Sequence, residues 1–144
     1  MNREMEFIRK FSLAYAAACK PLCQELRLPQ TAFDILMFLA NNPAYQTAAD
    51  IAEVRRIKPN LISVNVERLV REGYLRREGV AGDRRKTRLR CTAQAEPVAA
   101  RGRAVQEAFF AQLFSGVDEA ARAAFFDTAA RMNDNLDAYL KEGR

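Results

Sequence analysis

The apolar pattern of this chain changes period once, and that change constrains the fold more than any other feature. Between Gln46 and Gln94 apolar residues first recur at helical spacing in two segments, with a short turn between them; past Gly73 they alternate instead. Thr47 is a good N-cap for the first segment, with Asp50 three residues on favouring its positive end and Ile51, Ala52 and Val54 on its apolar side. Pro59 fits the first turn of the second segment, where a missing N–H is tolerated. That helix carries Ile62, Val66, Leu69 and Val70 at a 3.6-residue period and closes at Gly73. Tyr74–Glu78 and Thr87–Thr92 then read as strands, with Leu89 and Cys91 facing a core and Arg88 and Arg90 facing away. The stretch from Gly79 to Lys86 reads as a glycine-bearing turn holding three successive cations, Arg84, Arg85 and Lys86.

Charge follows the same boundaries. The 144 residues carry 23 Lys/Arg and 18 Asp/Glu, a net of +5. From Glu53 to Arg90 there are 12 basic and 5 acidic residues, a local net of +7, so the remainder is slightly acidic. A cationic hairpin directly after a helix-turn-helix suits a surface that grips duplex DNA.

The flanks read as helices. Phe7, Ile8, Phe11, Tyr15, Ala18 and Leu22 define one from Arg3 to about Lys20, which Pro21 should end or kink. A second, largely buried, runs from about Gln30 to Ala40 with Phe33, Ile35, Leu36 and Leu39, and stops at Asn41-Asn42-Pro43. Thr92 is expected to cap a helix bearing Val98, Val105, Phe109, Phe110, Leu113 and Phe114; Ser115-Gly116 breaks it. Asp118 begins the last, where Phe125, Ala129, Met132, Leu136, Tyr139 and Leu140 form a stripe. The expected fold is mostly α with a small β-hairpin wing: a single domain over residues 1–144, a winged helix-turn-helix lobe over 28–92, and dimerisation helices over 1–24 and 93–144.

The second helix of the motif is the candidate reader of a major groove. Its face opposite the core offers Asn60, Ser63 and Asn65 as hydrogen-bonding groups, Leu61 and Val64 as partners for a thymine methyl, and Arg68. On the hairpin, Arg76, Arg77, Arg84, Arg85, Lys86, Arg88 and Arg90 stand against only Glu78 and Asp83. Most of these cations suit phosphates, which give register and affinity more than sequence information. An arginine at the tip could enter a narrow minor groove, with Asp83 placed to hold the Arg85 guanidinium.

At these residues the chain resembles the MarR (multiple-antibiotic-resistance regulator) family of winged-helix regulators. Ile51-Ala52-Glu53 looks like the family's Leu-Ala-Glu, and Lys58-Pro59-Asn60-Leu61-Ile62-Ser63 stands where the family has Ser-Pro-Ser-Thr-Val-Ser. Val66-Glu67-Arg68-Leu69 with Glu72-Gly73-Tyr74-Leu75 resembles Val-Asp-Arg-Leu with Lys-Gly-Leu-Val. Asp83-Arg84-Arg85 and Leu89-Arg90-Cys91-Thr92 resemble the Asp-x-Arg wing and its Leu-Thr exit, and Leu28 to Leu39 suits the family's second helix. The motifs cover about half the chain. The resemblance implies a homodimer built from the terminal helices, Arg85 as the minor-groove residue of the wing, and the Asn60–Arg68 helix as the major-groove reader. Lys58 departs from the usual capping serine, so the reading helix loses a side-chain cap worth about 1 kcal/mol. Ala95 stands where the family often has glycine.

A dimer is also expected from the residues. Phe109, Phe110, Phe114, Phe125, Phe126, Met132, Leu136 and Tyr139 are more apolar surface than a small winged module covers. A two-fold partner would cover them and set two reading helices about 34 Å apart, one turn of a pseudo-palindromic operator. The function implied is a sequence-specific regulator of transcription, a repressor released by a small ligand or an oxidant. The alternative is a winged-helix interaction or dimerisation module, an anti-repressor or an enzyme accessory, without operator binding.

Catalysis, cofactors and metals are not expected. The chain has no histidine, no glycine-rich phosphate loop, no metal-spaced cluster and no nucleophile elbow. Without an apolar run long enough for a membrane or a signal peptide, a cytoplasmic location is expected, where its three cysteines need form no disulfide. Cys19 and Cys23 share a helix face only if the helix continues through Pro21; a redox switch and plain burial are the two readings, and Cys91 is expected in the core. Phe11, Tyr15, Met37 and Phe38 either line an effector pocket or belong to the core.

Overall fold

The computed structural model describes residues 2–142. They form α1 (Arg3–Leu26), α2 (Gln30–Asn41), α3 (Ala48–Arg55), α4 (Pro59–Arg71), β1 (Leu75–Val80), β2 (Asp83–Cys91), α5 (Ala95–Leu113) and α6 (Glu119–Glu142). The chain divides after Glu107 into two compact units. No described helix is long and apolar enough to cross a membrane.

The first unit is organised around α2, which is apolar nearly all round and is buried on two sides. Ala32, Ile35, Leu36, Phe38 and Leu39 join Ile51 of α3, Ile62, Val66 and Leu69 of α4, Leu75 and Leu89 of the hairpin, and Val98 of α5 in one core. Phe33 and Met37 turn the other way, to Cys19, Leu22 and Cys23 of α1 and Ala99 of α5. Helix α5 approaches α2 so closely that a Cβ on Gly102 would collide with the Met37 sulfur. Polar ties complete the frame: Gln106 donates to the Tyr15 hydroxyl, Arg103 to Asn41, and Arg101 pairs with Glu25.

Helix α1 does not stop at Pro21; it runs on to Leu26. Pro21 withholds one N–H from the Ala17 carbonyl, but both residues face solvent, where water replaces the donor. Cys19, Leu22 and Cys23 are buried on either side of the ring and hold the helix in place. The helix ends in a left-handed cap at Arg27 (φ +55°), where the Arg27 and Leu28 amides take up the Gln24 and Cys23 carbonyls. Thr47 and Asp50 form a full capping box at the start of α3.

Two other local expectations are corrected. Thr92 does not cap α5; its hydroxyl donates to the Gly73 carbonyl at 2.5 Å and its amide to Tyr74, so it fastens the end of β2 to the start of β1. Cys91 is exposed rather than in the core; it is the last residue of β2, where the strand leaves the sheet. It lies on the rim of a cavity of about 230 Å³ beside Thr92, Glu96 and Arg103.

In the second unit, Phe114 is buried among Phe110, Phe125 and Phe126, with the Arg122 guanidinium 5.0 Å from its ring centre. Gly116 (φ +78°) turns the chain, and Asp118 caps α6 through the Ala121 amide. Helix α6 buries no residue; Phe126, Met132, Leu136, Tyr139 and Leu140 are exposed.

Candidate nucleic-acid interface

Helix α4 is fixed at both ends by its sequence. Lys58 precedes it in extended conformation without a side-chain cap, and Pro59 opens it. At the far end the Gly73 amide donates to the Val70 carbonyl and the Tyr74 amide to the Leu69 carbonyl, the paired hydrogen bonds of a Schellman motif. Gly73 is required there: its φ is +89°, and a Cβ would meet the Gln94 side chain at 2.7 Å.

The outward face of α4 presents Asn60, Leu61, Ser63 and Val64, all exposed, as the sequence suggests. Asn65 does not join them. It is 7% exposed, and its side-chain amide donates to the Leu61 carbonyl at 2.8 Å. It lies three residues after Ile62 and four before Leu69, so the helical period puts it with the core residues, where its own helix satisfies the amide. Arg68 is half-buried and turned away from the reading face: Nη2 donates to the Arg27 carbonyl at 2.7 Å, and Nε lies 3.4 Å from Glu72. Two exposed residues on the outward side, Glu67 and Arg71, were not singled out from the sequence. Nor were Arg55 and Arg56, and Lys58 was singled out only for the missing cap; the three surround the turn before α4 with exposed positive charge. The local charge excess already contained them and was the signal for them.

The hairpin turns more tightly than its glycines suggest. Strands β1 and β2 pair antiparallel from Leu75↔Cys91 to Val80↔Asp83, leaving only Ala81 and Gly82 at the tip. Arg84, Arg85 and Lys86 therefore belong to a strand, not a loop. Gly79 stays in the strand and meets Thr87; the irregularity falls between Gly79 and Val80. Asp83 does not hold the Arg85 guanidinium. Its carboxylate accepts the Arg85 backbone N–H at 2.9 Å, an Asx-type bond that shapes the tip.

Strand parity sorts the charges. Arg76, Glu78, Arg88 and Arg90 share the face away from the core. There Glu78 pairs with Arg76 at 2.9 Å and Arg90 at 3.1 Å, which hold its carboxyl below the usual carboxylate range, Arg90 contributing most. Arg77, Arg84, Arg85 and Arg88 are exposed and form no ion pair among the described residues. Lys86 faces Asp50. Desolvation raises that carboxyl, but hydrogen bonds from Gln46 and Thr47, with the Lys86 charge, outweigh it and keep it low. The root of the wing is tied to the loop before α3 by a 2.7 Å bond from the Leu89 amide to the Gln46 carbonyl.

Away from this surface, Cys19 and Cys23 are buried on one face of α1. Burial pushes the Cys23 thiol up to about 11, and its sulfur lies 3.8 Å from the side-chain Oε1 of Gln30. Met37 and Phe38 are buried, the latter stacked on Tyr45. A cavity of about 480 Å³ opens at the end of α1, lined by Lys20, Gln24, Arg27, Gln30 and Arg68 among others. Phe11, Tyr15, Met37 and Phe38 do not line it.

Residues 28–86, the helix-turn-helix and most of the wing, match the sequence model of the MarR family. Over that stretch the lobe is similar to the MarR family. Solved structures share this fold along almost the whole chain. The transcriptional regulator SlyA superposes with a TM-score of 0.87 at 17% identity, covering 99% of this chain and 100% of that one. A MarR protein from Peptoclostridium difficile gives 0.88 at 14% identity, over 99% and 93%. A MarR-family regulator from Listeria monocytogenes, crystallised with 26-mer DNA, gives 0.87 at 17%, over 100% and 97%. At these identities the likeness establishes the fold, a winged helix-turn-helix with flanking helices. No curated protein matches the sequence.

Proposed function

We propose that the protein is a homodimeric repressor of transcription that grips a pseudo-palindromic operator and is released by a small ligand or an oxidant. The observation that carries this reading is one lobe presenting two complementary surfaces. The exposed face of α4 offers Asn60, Leu61, Ser63 and Val64 to base edges, and the wing offers Arg84, Arg85, Lys86 and Arg88 to the backbone and minor groove. Asp83 contributes by shaping the tip, and Arg55, Arg56 and Lys58 extend the phosphate track. Asn65 and Arg68 leave the set of contacts. The MarR match over the lobe supports the reading, as does the fold shared with a Listeria monocytogenes regulator crystallised with DNA.

The exposed apolar residues support a dimer. Met5, Phe7, Ile8 and Leu13 of α1, and separately Phe126, Met132, Leu136, Tyr139 and Leu140 of α6, are surfaces a partner copy would cover.

The test is binding by fluorescence anisotropy to a duplex that the native protein enriches from a random pool, across a salt series, with mass measured by light scattering. The expected result is a dimer whose affinity falls linearly on a log–log salt plot, with a slope near −0.9 per neutralised phosphate. A monomer indifferent to DNA at every salt concentration would end the proposal.

A further inference from the structure

The residue Arg68 has a different task from the one its position on a DNA-reading helix suggests. Its guanidinium spans two elements. Nη2 donates to the Arg27 carbonyl, 41 residues away in sequence, while Nε lies close to the Glu72 carboxylate one turn on. The Arg27 carbonyl is available because Arg27 adopts the left-handed cap of α1 (φ +55°), which turns its peptide out of the helix after the Cys23 and Gln24 carbonyls have been satisfied. The acceptor thus exists only because α1 ends where it does. Glu72 is itself the C-cap residue of α4, held by its amide to the Arg68 carbonyl. Three groups converge: the cap of α1, the last turn of α4, and a guanidinium that donates from Nη2 to the Arg27 carbonyl while its buried Nε lies within ion-pair distance of Glu72 without a hydrogen bond.

We propose that Arg68 is a brace that sets the aim of α4 against the end of α1, and that it positions the reading helix without touching DNA. This rests on the DNA-binding reading above and deepens it. Helix α4 is otherwise seated by apolar contacts of Ile62, Val66 and Leu69, which are non-directional. A directional bond from its outer edge to α1 fixes rotation about the helix axis. Rotation decides whether Asn60, Ser63 and Val64 meet base edges; phosphate contacts from the wing do not depend on it.

The physical consequence is a separation of sequence-specific from sequence-independent binding. Arg68→Met keeps the length and apolar stem of the side chain but removes its donors. Affinity for the duplex enriched by the native protein should fall roughly 10-fold, within the worth of one good base contact. Affinity for a random-sequence duplex, and the salt slope on both, should stay native. A phosphate contact predicts the opposite: loss on both duplexes and a slope shallower by about 0.9 per half-site. General loosening of the fold would lower both affinities in proportion to the unfolded fraction, read in the same samples by circular dichroism. Either of those two results overturns the proposal.

A measurement on the native protein guards against a variant that does not fold. The Arg68 guanidinium N–H signals, assigned by their loss in Arg68→Lys, should be slow to exchange in the free protein and unmoved when duplex is added. Rapid exchange in the free protein, or a shift on adding duplex, overturns the brace. Should the native protein bind no duplex at all, the proposed function fails, while slow exchange in the free protein would still establish the tie between α4 and α1.

Discussion

Helix α4 and the hairpin that follows it differ in how they divide their residues between the interior and the solvent. The helix turns 100° per residue, so its faces grade into one another; Asn65 lies at the margin and is drawn into the core, while Arg68, on the outward side, reaches back to α1. The strand has two faces only, and parity assigns each residue to one of them. Glu78 neutralises Arg76 and Arg90 on its own face, while Arg84, Arg85 and Arg88 remain exposed without acidic partners among the described residues. A strand therefore shows its charges more openly than a helix shows its polar residues. On α4, polarity is a poor guide to exposure; on the wing, charge is a good one.

This contrast is sharpest in the core. Leu69 is fully buried, and Leu69→Ala should cost about 2–5 kcal/mol in chemical denaturation. A cost below 1 kcal/mol would mean that α4 is not seated as described. The wing should behave in the reverse way. Arg85→Ala should leave stability within about 0.5 kcal/mol of native and weaken DNA binding by about 1–3 kcal/mol per half-site. If it destabilises the fold instead, Arg85 is held by groups on the protein.

Asn65→Ala tests the margin of the helix. It should cost about 1 kcal/mol of stability through the lost bond to the Leu61 carbonyl, with the sequence preference among duplexes unchanged. A changed preference with native stability would return Asn65 to the reading face. The smallest effect belongs to Glu78→Gln. Glu78 titrates below its unfolded value, so its contribution is present above the unfolded carboxylate pKa and is lost as pH falls through the lower folded one. The variant should remove that part of the acid response in a pH series of melting curves. An unaltered acid response would show that the Arg76 and Arg90 pairs contribute nothing, as many exposed pairs do.

Sequence legibility follows the range of the interaction. The start of α4 at Pro59, its end at Gly73, the N-cap at Thr47 and the break at Gly116 were readable because each depends on residues within a turn. Pro21 misleads because its local effect is outweighed by packing against α2, which no nearby residue announces. Thr92 has the chemistry of a cap, but its partner is the Gly73 carbonyl 19 residues back. Arg68 needed Arg27 and the left-handed turn there, and neither carries a sequence signature. Gly79 and Gly82 look alike in the sequence, yet only Gly82 has a positive φ and a place in the turn.

The bond between the Leu89 amide and the Gln46 carbonyl bears on how the wing could be re-engineered. It acts as a clamp near the root of a cantilever, so the hairpin is aimed by its base and is free only beyond that point. Around the outer glycines, Gly79 and Gly82, a Cβ would meet nothing within 4 Å. Extra residue pairs inserted beside Ala81 and Gly82 would lengthen the arm while the clamp kept its bearing.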